Sequence, residues 1–405
     1  TPVTFDIADD ISNVIGSVLQ TNGNFGDVRD IIIDDIADIA QGIQIIDGVN
    51  TGTIDVDVED TAGAILSELV VVAGGTNLDE LSSLTVTAGV VDVSSAYDLQ
   101  SVAGYDSSDS SYTITDTAGA ILGDTATAID DGVSHIIVDG NVGAGVGVQL
   151  GALEDASFET GYSADINFNV VDDANDIASV LAVSGTSLDN AANMIVSGGT
   201  VSVDIASDIQ GVAEYDSGAS SYTIADSADA VLIASNESTI LNDGVSGVVV
   251  TDATGAGYVD ASDGEALSDL EVLLQTATND SAADIEFRVE DDAAAIAAVL
   301  NGDRDALDGA NDLDVTGGTT TIAGAADIQS SGAYDAADSD YTITDTAGAI
   351  LGDTATAIDD GVSTINVDGP VGAGVGVQLG QLEDGLQLES GMSSDIIFDV
   401  EDSAI

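Results

Sequence analysis

The chain has no cysteine, no tryptophan and no lysine, and its cationic side chains are three arginines, Arg29, Arg288 and Arg304. Without cysteine, neither disulfides nor thiolate metal sites can form. Without lysine, cross-links between lysine and asparagine side chains are excluded as well. No segment approaches the run of about 20 apolar residues that a membrane-spanning helix needs. The chain must therefore be stabilised by packing, hydrogen bonds and bound ions.

Negative charge dominates the composition. There are 74 acidic residues and a formal net charge of −71. This charge excludes nucleic acids and anionic membrane surfaces as direct partners, because both require a basic face. Cations are the natural partners: monovalent salt can screen the charge, and divalent ions, calcium first, can bind between carboxylates. Hydrophobic residues still reach 44% and occur in short periodic runs, so we expect a folded chain rather than a disordered acidic one.

The residues that most enzymes need are scarce. His135 is the single histidine, and a near-identical repeat copy has Thr364 in its place, so we expect His135 to be an exposed strand residue. Paired carboxylates could serve a glycosidase, but such enzymes usually hold sugars with aromatic residues, which make up 4% of this chain. We therefore predict that the chain is not an enzyme. The adjacent acidic pairs are interpreted as helix caps and solvated turns: Asp9-Asp10, Asp130-Asp131, Asp172-Asp173, Asp291-Asp292 and Asp359-Asp360.

Internal repeats carry most of the information. Residues 112–151 and 341–380 differ at only three positions, and a diverged third copy begins at Tyr222. A second repeat type begins with an alternating strand and an acidic pair, at Thr53, Asp165, Asp284 and Asp395. The two types alternate. We divide the chain into an atypical repeat at 1–52, the second type at 53–111, 165–221 and 284–340, the Tyr-initiated type at 112–164, 222–283 and 341–394, and the start of a further repeat at 395–405.

Each repeat has the same local pattern. A strand with period-two alternation, such as Tyr112-Thr-Ile-Thr, runs into an aspartate and then into small helix-forming residues. The pattern predicts helix N-caps at five aspartates: Asp60, Asp116, Asp173, Asp226 and Asp345. A turn at Asp131-Gly132, a second strand over 134–138 and a helical run over 148–154 follow. One strand–helix pair is too small to bury its own apolar face, so neighbouring pairs must stack.

The predicted fold class is therefore an elongated α/β tandem repeat, either solenoid-like or a string of small stacked strand–helix modules. Glycine-rich runs at 140–147 and 369–376 keep open an all-β solenoid or sandwich array. Without a P-loop lysine these runs are interpreted as turns and close-packed strands rather than phosphate loops. The tyrosines at repeat starts and ends are expected to pack at joints between repeats: Tyr97, Tyr105, Tyr112, Tyr215, Tyr222, Tyr334 and Tyr341.

Both termini fall in the same phase of the repeat. The chain begins Thr1-Pro2, without an initiating methionine or signal peptide, so we interpret it as a processed or excised segment. It stops one strand into a new repeat. An uncapped repeat end exposes apolar surface and unpaired strand edges. The expectation is either that the segment was cut from a longer protein or that copies join head to tail.

The pattern YTITDTAGAIL, followed by a helix, a strand and a valine-rich link, resembles the "DTAxxI" strand–helix repeats of very large secreted bacterial proteins. These are giant adhesins, S-layer-like proteins and type-I-secreted calcium-binding proteins. The resemblance implies an extracellular role in adhesion, surface coating or biofilm matrix, with calcium common. The glycine-aspartate nonapeptide of RTX calcium rolls is absent from this sequence, so those calcium sites are not transferred.

Three groups of residues are candidate calcium-binding sites. Asp55, Asp57 and Glu59 alternate along one strand face. The loops before two Tyr-initiated strands supply Asp106 with Asp109, and Asp335 with Asp338 and Asp340, whereas the third copy at Tyr215 lacks the second aspartate. Asn301, Asp303, Asp305 and Asp312 match several EF-hand ligand offsets, although Ala306 replaces the sharp-turn glycine. A plain solvated turn is the alternative for this last loop.

Two functions follow as expectations. The favoured one is a structural subunit of an extracellular filament, S-layer or matrix, self-assembling head to tail and ordered by calcium. The alternative is the stalk or binding region of a large bacterial adhesin, which would need a non-repeating patch. Residues 222–283, with the longer segment TDATGAGYVDASDGEAL, depart most from their sibling repeats.

Overall fold

The computed structural model describes residues 5–19, 28–48, 53–71, 77–124, 132–157, 165–184, 188, 190–233, 236–251, 257–278, 283–301, 303–352, 361–386 and 395–401. The chain divides into two compact units. The first comprises Thr1–Asp172, Ser179–Ile195 and Val212–Tyr215, and the second comprises Asp173–Ala178, Val196–Gly211 and Asp216–Ile405. The division falls within the predicted repeat at 165–221.

Strands and helices alternate along the N-terminal half of the chain. The strands are β1 (Phe5–Asp9), β2 (Val28–Ile33), β3 (Thr53–Asp55), β4 (Asp57–Thr61), β5 (Ser83–Ala88), β6 (Val90–Val91), β7 (Tyr112–Asp116), β8 (Val133–Val142), β9 (Asp165–Asp172) and β10 (Asn193–Val196). The helices are α1 (Ile11–Asn13, continued by a π-helix over Val14–Leu19), α2 (Ile39–Gly48), α3 (Ala62–Val71), α4 (Val93–Gln100), α5 (Ala118–Gly123), α6 (Ala144–Ser157) and α7 (Ala174–Ser184), with a 3-10 turn at Asn77–Glu80.

The alternation continues in the C-terminal half. The strands are β11 (Thr200–Val201), β12 (Tyr222–Asp226), β13 (Val245–Val250), β14 (Tyr258–Val259), β15 (Asp284–Glu286), β16 (Arg288–Asp291), β17 (Asp312–Thr320), β18 (Asp340–Asp345), β19 (Val362–Val367) and β20 (Asp395–Ile397). The helices are α8 (Val203–Gln210), α9 (Ala228–Leu232), α10 (Glu237–Ile240), α11 (Ala261–Thr278), α12 (Ala293–Leu300), α13 (Ile322–Ser330), α14 (Ala347–Gly352) and α15 (Ala373–Leu386).

Strand order follows chain order within each sheet. In the first unit β6, β7, β8, β9 and β10 lie side by side, and in the second β16, β17, β18, β19 and β20 do so. The described strands pair in parallel, for example with Ile114 beside Ile136. Parallel neighbours require a crossover between them, and here a helix supplies it. Within each sheet, each strand–helix pair therefore forms one turn that lies beside a neighbouring turn.

The core lies between strands and helices. β9 alternates exposed and buried residues, and Ile166, Phe168 and Val170 on its inner face are at most 3% exposed. On the helix side, Ile121 of α5 and Leu150 of α6 are fully buried. Period-two strands facing amphipathic helices account for this arrangement.

The strand pairing is irregular at two places in the first unit. β3 pairs with β2, whereas β4, one residue further on, pairs with β5. In β8 the register with β9 shifts between Ile137 and Asn141, and Gly140 has a φ of 83° at that point. A left-handed conformation favours glycine, which explains why glycine recurs here as Gly257 and Gly369, at φ 72° and 79°.

The mixed α/β fold is confirmed, and the all-β alternative is wrong. The glycine runs are not turns and packed strands throughout. α6 begins at Ala144 and α15 at Ala373, so much of each run forms the first helical turns. Gly147 and Gly376 show why glycine fits there: an added Cβ would lie 2.9 Å from Val170 and 3.1 Å from Val400, respectively. No described helix combines the length and apolar character needed to cross a membrane.

Candidate functional site

One interaction recurs at alternate junctions between turns in the described parts of the chain. The aspartate that ends a strand accepts a hydrogen bond, through Oδ2, from the first amide of the helix in the preceding turn. We call these residues the strand-end aspartates. The pairs are Asp60 with Ile39 N at 3.2 Å, Asp116 with Val93 N at 3.1 Å, Asp172 with Ala144 N at 2.8 Å, Asp226 with Val203 N at 3.1 Å, Asp291 with Ala261 N at 3.1 Å and Asp345 with Ile322 N at 3.2 Å.

In five of these residues the other carboxylate oxygen, Oδ1, accepts a hydrogen bond from the next residue in the chain. Oδ1 of Asp116 accepts the amide of Thr117 at 2.7 Å, and Oδ1 of Asp60, Asp226, Asp291 and Asp345 does the same with the next residue. One carboxylate thus satisfies two amides, one of which belongs to a helix N-terminus with no partner inside its own helix. The charge also lies favourably at the positive end of that helix dipole.

Four of the five predicted N-caps are wrong by one residue. The side chain that caps α5 is Thr117, not Asp116, because its hydroxyl accepts the Ala120 amide at 3.3 Å. The corresponding caps are Thr61, Ser227 and Thr346. Asp173 is confirmed as the cap of α7, since its Oδ1 accepts the Asn175 amide at 2.9 Å.

At two strand ends, one aspartate of an acidic pair binds the preceding helix and the other caps the following helix. In Asp291-Asp292, Asp291 binds the preceding helix and Asp292 accepts the Ala294 and Ala295 amides of α12, both at 2.9 Å. Asp172-Asp173 does the same. The interpretation as caps is confirmed for these two pairs, whereas residues 130–131 and 359–360 lie outside the described residues.

A buried tyrosine adds a second contact between turns. Tyr112, Tyr222 and Tyr341 are each 1% exposed, and their hydroxyls accept hydrogen bonds from Gln100, Gln210 and Gln329 at 2.6, 2.6 and 2.8 Å. Each glutamine belongs to the helix of the preceding turn. The prediction that tyrosines pack at joints is confirmed for these three. It is wrong for Tyr97, which is 54% exposed.

The first calcium candidate lies on an open strand face. Asp55, Asp57 and Glu59 are exposed, and Val56 and Val58 between them are fully buried. The predicted placement on one face is therefore confirmed. Calcium binding there stays a prediction.

The second candidate forms tight turns closed by hydrogen bonds to aspartate side chains, and calcium binding there stays a prediction. Oδ1 of Asp106 accepts the Ser108 amide at 3.0 Å and the Ser108 hydroxyl at 2.6 Å, and these bonds, the hydroxyl's first, lower the pKa of Asp106. Asp335 binds the Ala337 amide similarly at 2.8 Å. Asp109, Asp338 and Asp340 are exposed. The copy at Asp216, without the second aspartate, keeps the same turn through the Ala219 amide at 3.2 Å.

The third candidate spans a helix–turn–strand connection. Asn301 follows α12, Asp303 accepts the Asp305 amide at 3.2 Å, and Asp312 begins β17. A strand replaces the second helix of an EF-hand, and Arg304 within the loop pairs with Asp327 at 2.7 Å. Within the part of the chain that the structure describes, no three Asp, Glu, His or Cys side chains are grouped so that they could hold a metal ion.

Two half-buried glutamates occupy equivalent places in the two units. Glu154 of α6 and Glu271 of α11 each have an Oε2 atom that is buried without a hydrogen-bond partner. Burial raises the pKa of both carboxyls above the ordinary 4.5, although the amides of Ile166 and Ile285 act in the opposite direction. Asp165 and Asp284 at the start of the following strand raise them further.

Glu271 makes the stability depend on pH in a defined direction. Because its pKa is raised in the fold, its ionised form is penalised at neutral pH, and the penalty disappears as the pH falls through the folded pKa towards 4.5. We expect Glu271→Gln to reduce the gain in unfolding free energy between neutral pH and pH 4.5. Denaturant titrations at several pH values would measure it. Glu265→Gln, at an exposed position of the same helix, should leave the pH dependence unchanged. An unchanged profile in Glu271→Gln would contradict the assignment.

Asp314 was missed by the sequence analysis. It is 6% exposed on β17, its Oδ2 accepts the Tyr258 hydroxyl at 3.2 Å, and its Oδ1 is buried without a partner. Burial, followed by Asp312, raises its pKa. The signal that could have found it is repeat alignment, because the equivalent residues are Thr85 and Ile195. His135, by contrast, is exposed on β8 as predicted.

Comparison with known proteins does not assign the chain to a family. No protein-family model matches the chain, and no curated protein matches it in sequence at a significant level.

Proposed function

We propose that the chain is a structural subunit of an extracellular filament, S-layer or matrix, secreted to the cell surface and without enzymatic activity. The observation that carries the proposal is the strand-end aspartate contact, which recurs at six alternate junctions between turns with distances of 2.8–3.2 Å. Every second turn thereby completes the helix of the turn before it. Such a rule has no built-in end point, which suits an open, elongated stack of repeats.

Head-to-tail self-assembly extends the same rule across copies. In this proposal a strand-end aspartate of one copy accepts a hydrogen bond from a helix amide of the preceding copy. The outer strand faces carry carboxylates such as Asp55, Asp57 and Glu59, and their mutual repulsion opposes close stacking. Calcium would bind the folded, stacked form more tightly than the unfolded one and so favour assembly.

Negative-stain electron microscopy of the purified chain tests the proposal. Samples at one ionic strength would contain millimolar calcium or a chelator, and a third would contain monovalent salt alone. We expect regular filaments or sheets in calcium that disappear on chelation. The triple variant Asp55→Asn, Asp57→Asn, Glu59→Gln should need more calcium than the parent. Isolated particles under all conditions would contradict self-assembly, and filaments in monovalent salt alone would contradict calcium ordering.

One observation favours the alternative function, the binding region of a large adhesin. Tyr258, Arg288 and Asp314 replace the residues found at equivalent positions of the other repeats and contact one another. Two neighbouring repeats, at 222–283 and 284–340, that depart together at three linked positions are suited to a task that their siblings do not share.

A further inference from the structure

A cavity of about 490 Å³ lies next to the end of β13 and the residue before β14. Its lining includes Val249, Thr251, Glu286, Phe287, Arg288 and Asn311. The volume is within the range of about 300–1,000 Å³ that is usual for small-molecule sites. The equivalent place in the last repeat, lined by residues that include Pro370, Phe398 and Asp399, is smaller, at about 190 Å³.

Two successive contacts hold Arg288 in place at this cavity. The Tyr258 hydroxyl donates to the buried Asp314 carboxylate at 3.2 Å, which fixes the ring. The Arg288 guanidinium lies 5.7 Å from the centroid of that ring, within the distance of a cation–π contact. Tyr258 and Arg288 are also in register on neighbouring strands.

Tyr258, Arg288 and Asp314 all differ from the residues at the equivalent positions of the other repeats. Where this repeat has Tyr258, the others have Asn141 and Pro370. Arg288 stands where they have Asp57, Asn169 and Asp399, and Asp314 where they have Thr85 and Ile195. Because the sibling repeats fold with other residues at these positions, stability alone does not account for the presence of all three together.

The charge of Arg288 is available to a ligand. The chain carries 74 acidic residues, yet no described carboxylate forms an ion pair with the Arg288 guanidinium, whereas Arg304 is paired with Asp327. A guanidinium is the side chain best suited to bind a carboxylate through two parallel hydrogen bonds. Glu286, two residues before Arg288 on the same exposed strand face, supplies an acceptor to the cavity lining. Asn311, whose Oδ1 already accepts the Phe287 amide at 3.0 Å, supplies a donor.

We propose that this cavity binds a small hydroxylated monocarboxylate. Its carboxylate accepts hydrogen bonds from Arg288, one hydroxyl donates to Glu286, and another accepts from the Asn311 amide. A monocarboxylate is preferred over a dianion because the surrounding surface is strongly acidic. The proposal does not depend on filament formation. Such chemistry occurs in free hydroxy acids and in the uronic-acid units of acidic polysaccharides.

Isothermal titration calorimetry on the full chain at fixed ionic strength tests the proposal. The probes are galacturonate, a galacturonate oligomer, and neutral galactose as a control. We expect galacturonate to bind and galactose not to bind. An oligomer that binds more tightly than the monomer identifies a polysaccharide as the source, and binding of the monomer alone identifies a free acid. Equal binding of galactose, or no binding of either acidic probe, would overturn the proposal.

Matched variants separate the site from general charge. Arg288→Asn installs the residue found at position 169 and should weaken galacturonate binding about tenfold or more, as expected for loss of a charge-assisted contact. Arg304→Asn removes the same charge away from the cavity and should change the affinity less than about twofold. Asp314→Thr, the residue of position 85, should weaken binding by releasing Tyr258. Equal losses in Arg288→Asn and Arg304→Asn would also overturn the assignment.

Discussion

Asp116→Ala is expected to lower the free energy of unfolding by about 1–3 kcal/mol, the cost of an unsatisfied buried donor, because two backbone amides lose their acceptor and only the exposed one can bind water instead. These are the amides of Val93, in the preceding turn, and of Thr117. Asp116→Asn keeps one acceptor oxygen and should cost less. The measurement is denaturant unfolding combined with hydrogen exchange, in which the Val93 amide should exchange faster.

The control for this change is Asp139→Ala. Asp139 is exposed on β8, and a surface substitution of this kind should change stability by less than about 0.5 kcal/mol. Asp345→Ala repeats the experiment in the near-identical copy, where Ile322 N is the amide that loses its acceptor. If Asp116→Ala costs no more than Asp139→Ala, the strand-end aspartates do not stabilise the stack.

Tyr112→Ala is expected to have the largest effect, a loss of about 3–5 kcal/mol, as for other large aromatic side chains removed from a core. The ring is 1% exposed and its hydroxyl binds Gln100 at 2.6 Å. Tyr112→Phe keeps the ring and should cost about 1 kcal/mol for the hydrogen bond. Chemical denaturation followed by circular dichroism measures both.

Tyr97→Ala is the matched comparison for the ring, because Tyr97 is 54% exposed on the neighbouring helix α4. We expect a cost below about 1 kcal/mol there. Similar losses for Tyr97→Ala and Tyr112→Ala would mean that the Tyr-initiated strand is not the packing centre of the joint.

The strand–helix alternation could be predicted from the sequence because it depends on local signals. Period-two apolar residues in β7 and the small helix formers of α5 identify their elements without tertiary information. The N-cap assignment of Asp116 failed for a tertiary reason: its second oxygen binds Val93, 23 residues away, and no local pattern identifies that partner. Thr117, the actual cap, is an equally good capping residue.

The candidate sites were predictable to different degrees. The exposure of Asp55, Asp57 and Glu59 follows from strand alternation. The burial of Asp314 did not follow, since an aspartate in an acidic sequence is usually exposed. Only comparison with Thr85 and Ile195 marks the position as unusual, and only the structure places Tyr258 and Arg288 beside it.

The strand-end aspartates also bear on how such a gene can change its length. Each contact joins residues 21–30 positions apart, so a duplication that begins and ends at the same phase of the repeat recreates a complete contact at the new junction. A duplication out of phase would leave one helix amide without its acceptor. The copies that begin at residues 112 and 341 are 229 residues apart and in the same phase. Recombination between such copies would add or remove whole turns while every remaining joint stayed intact.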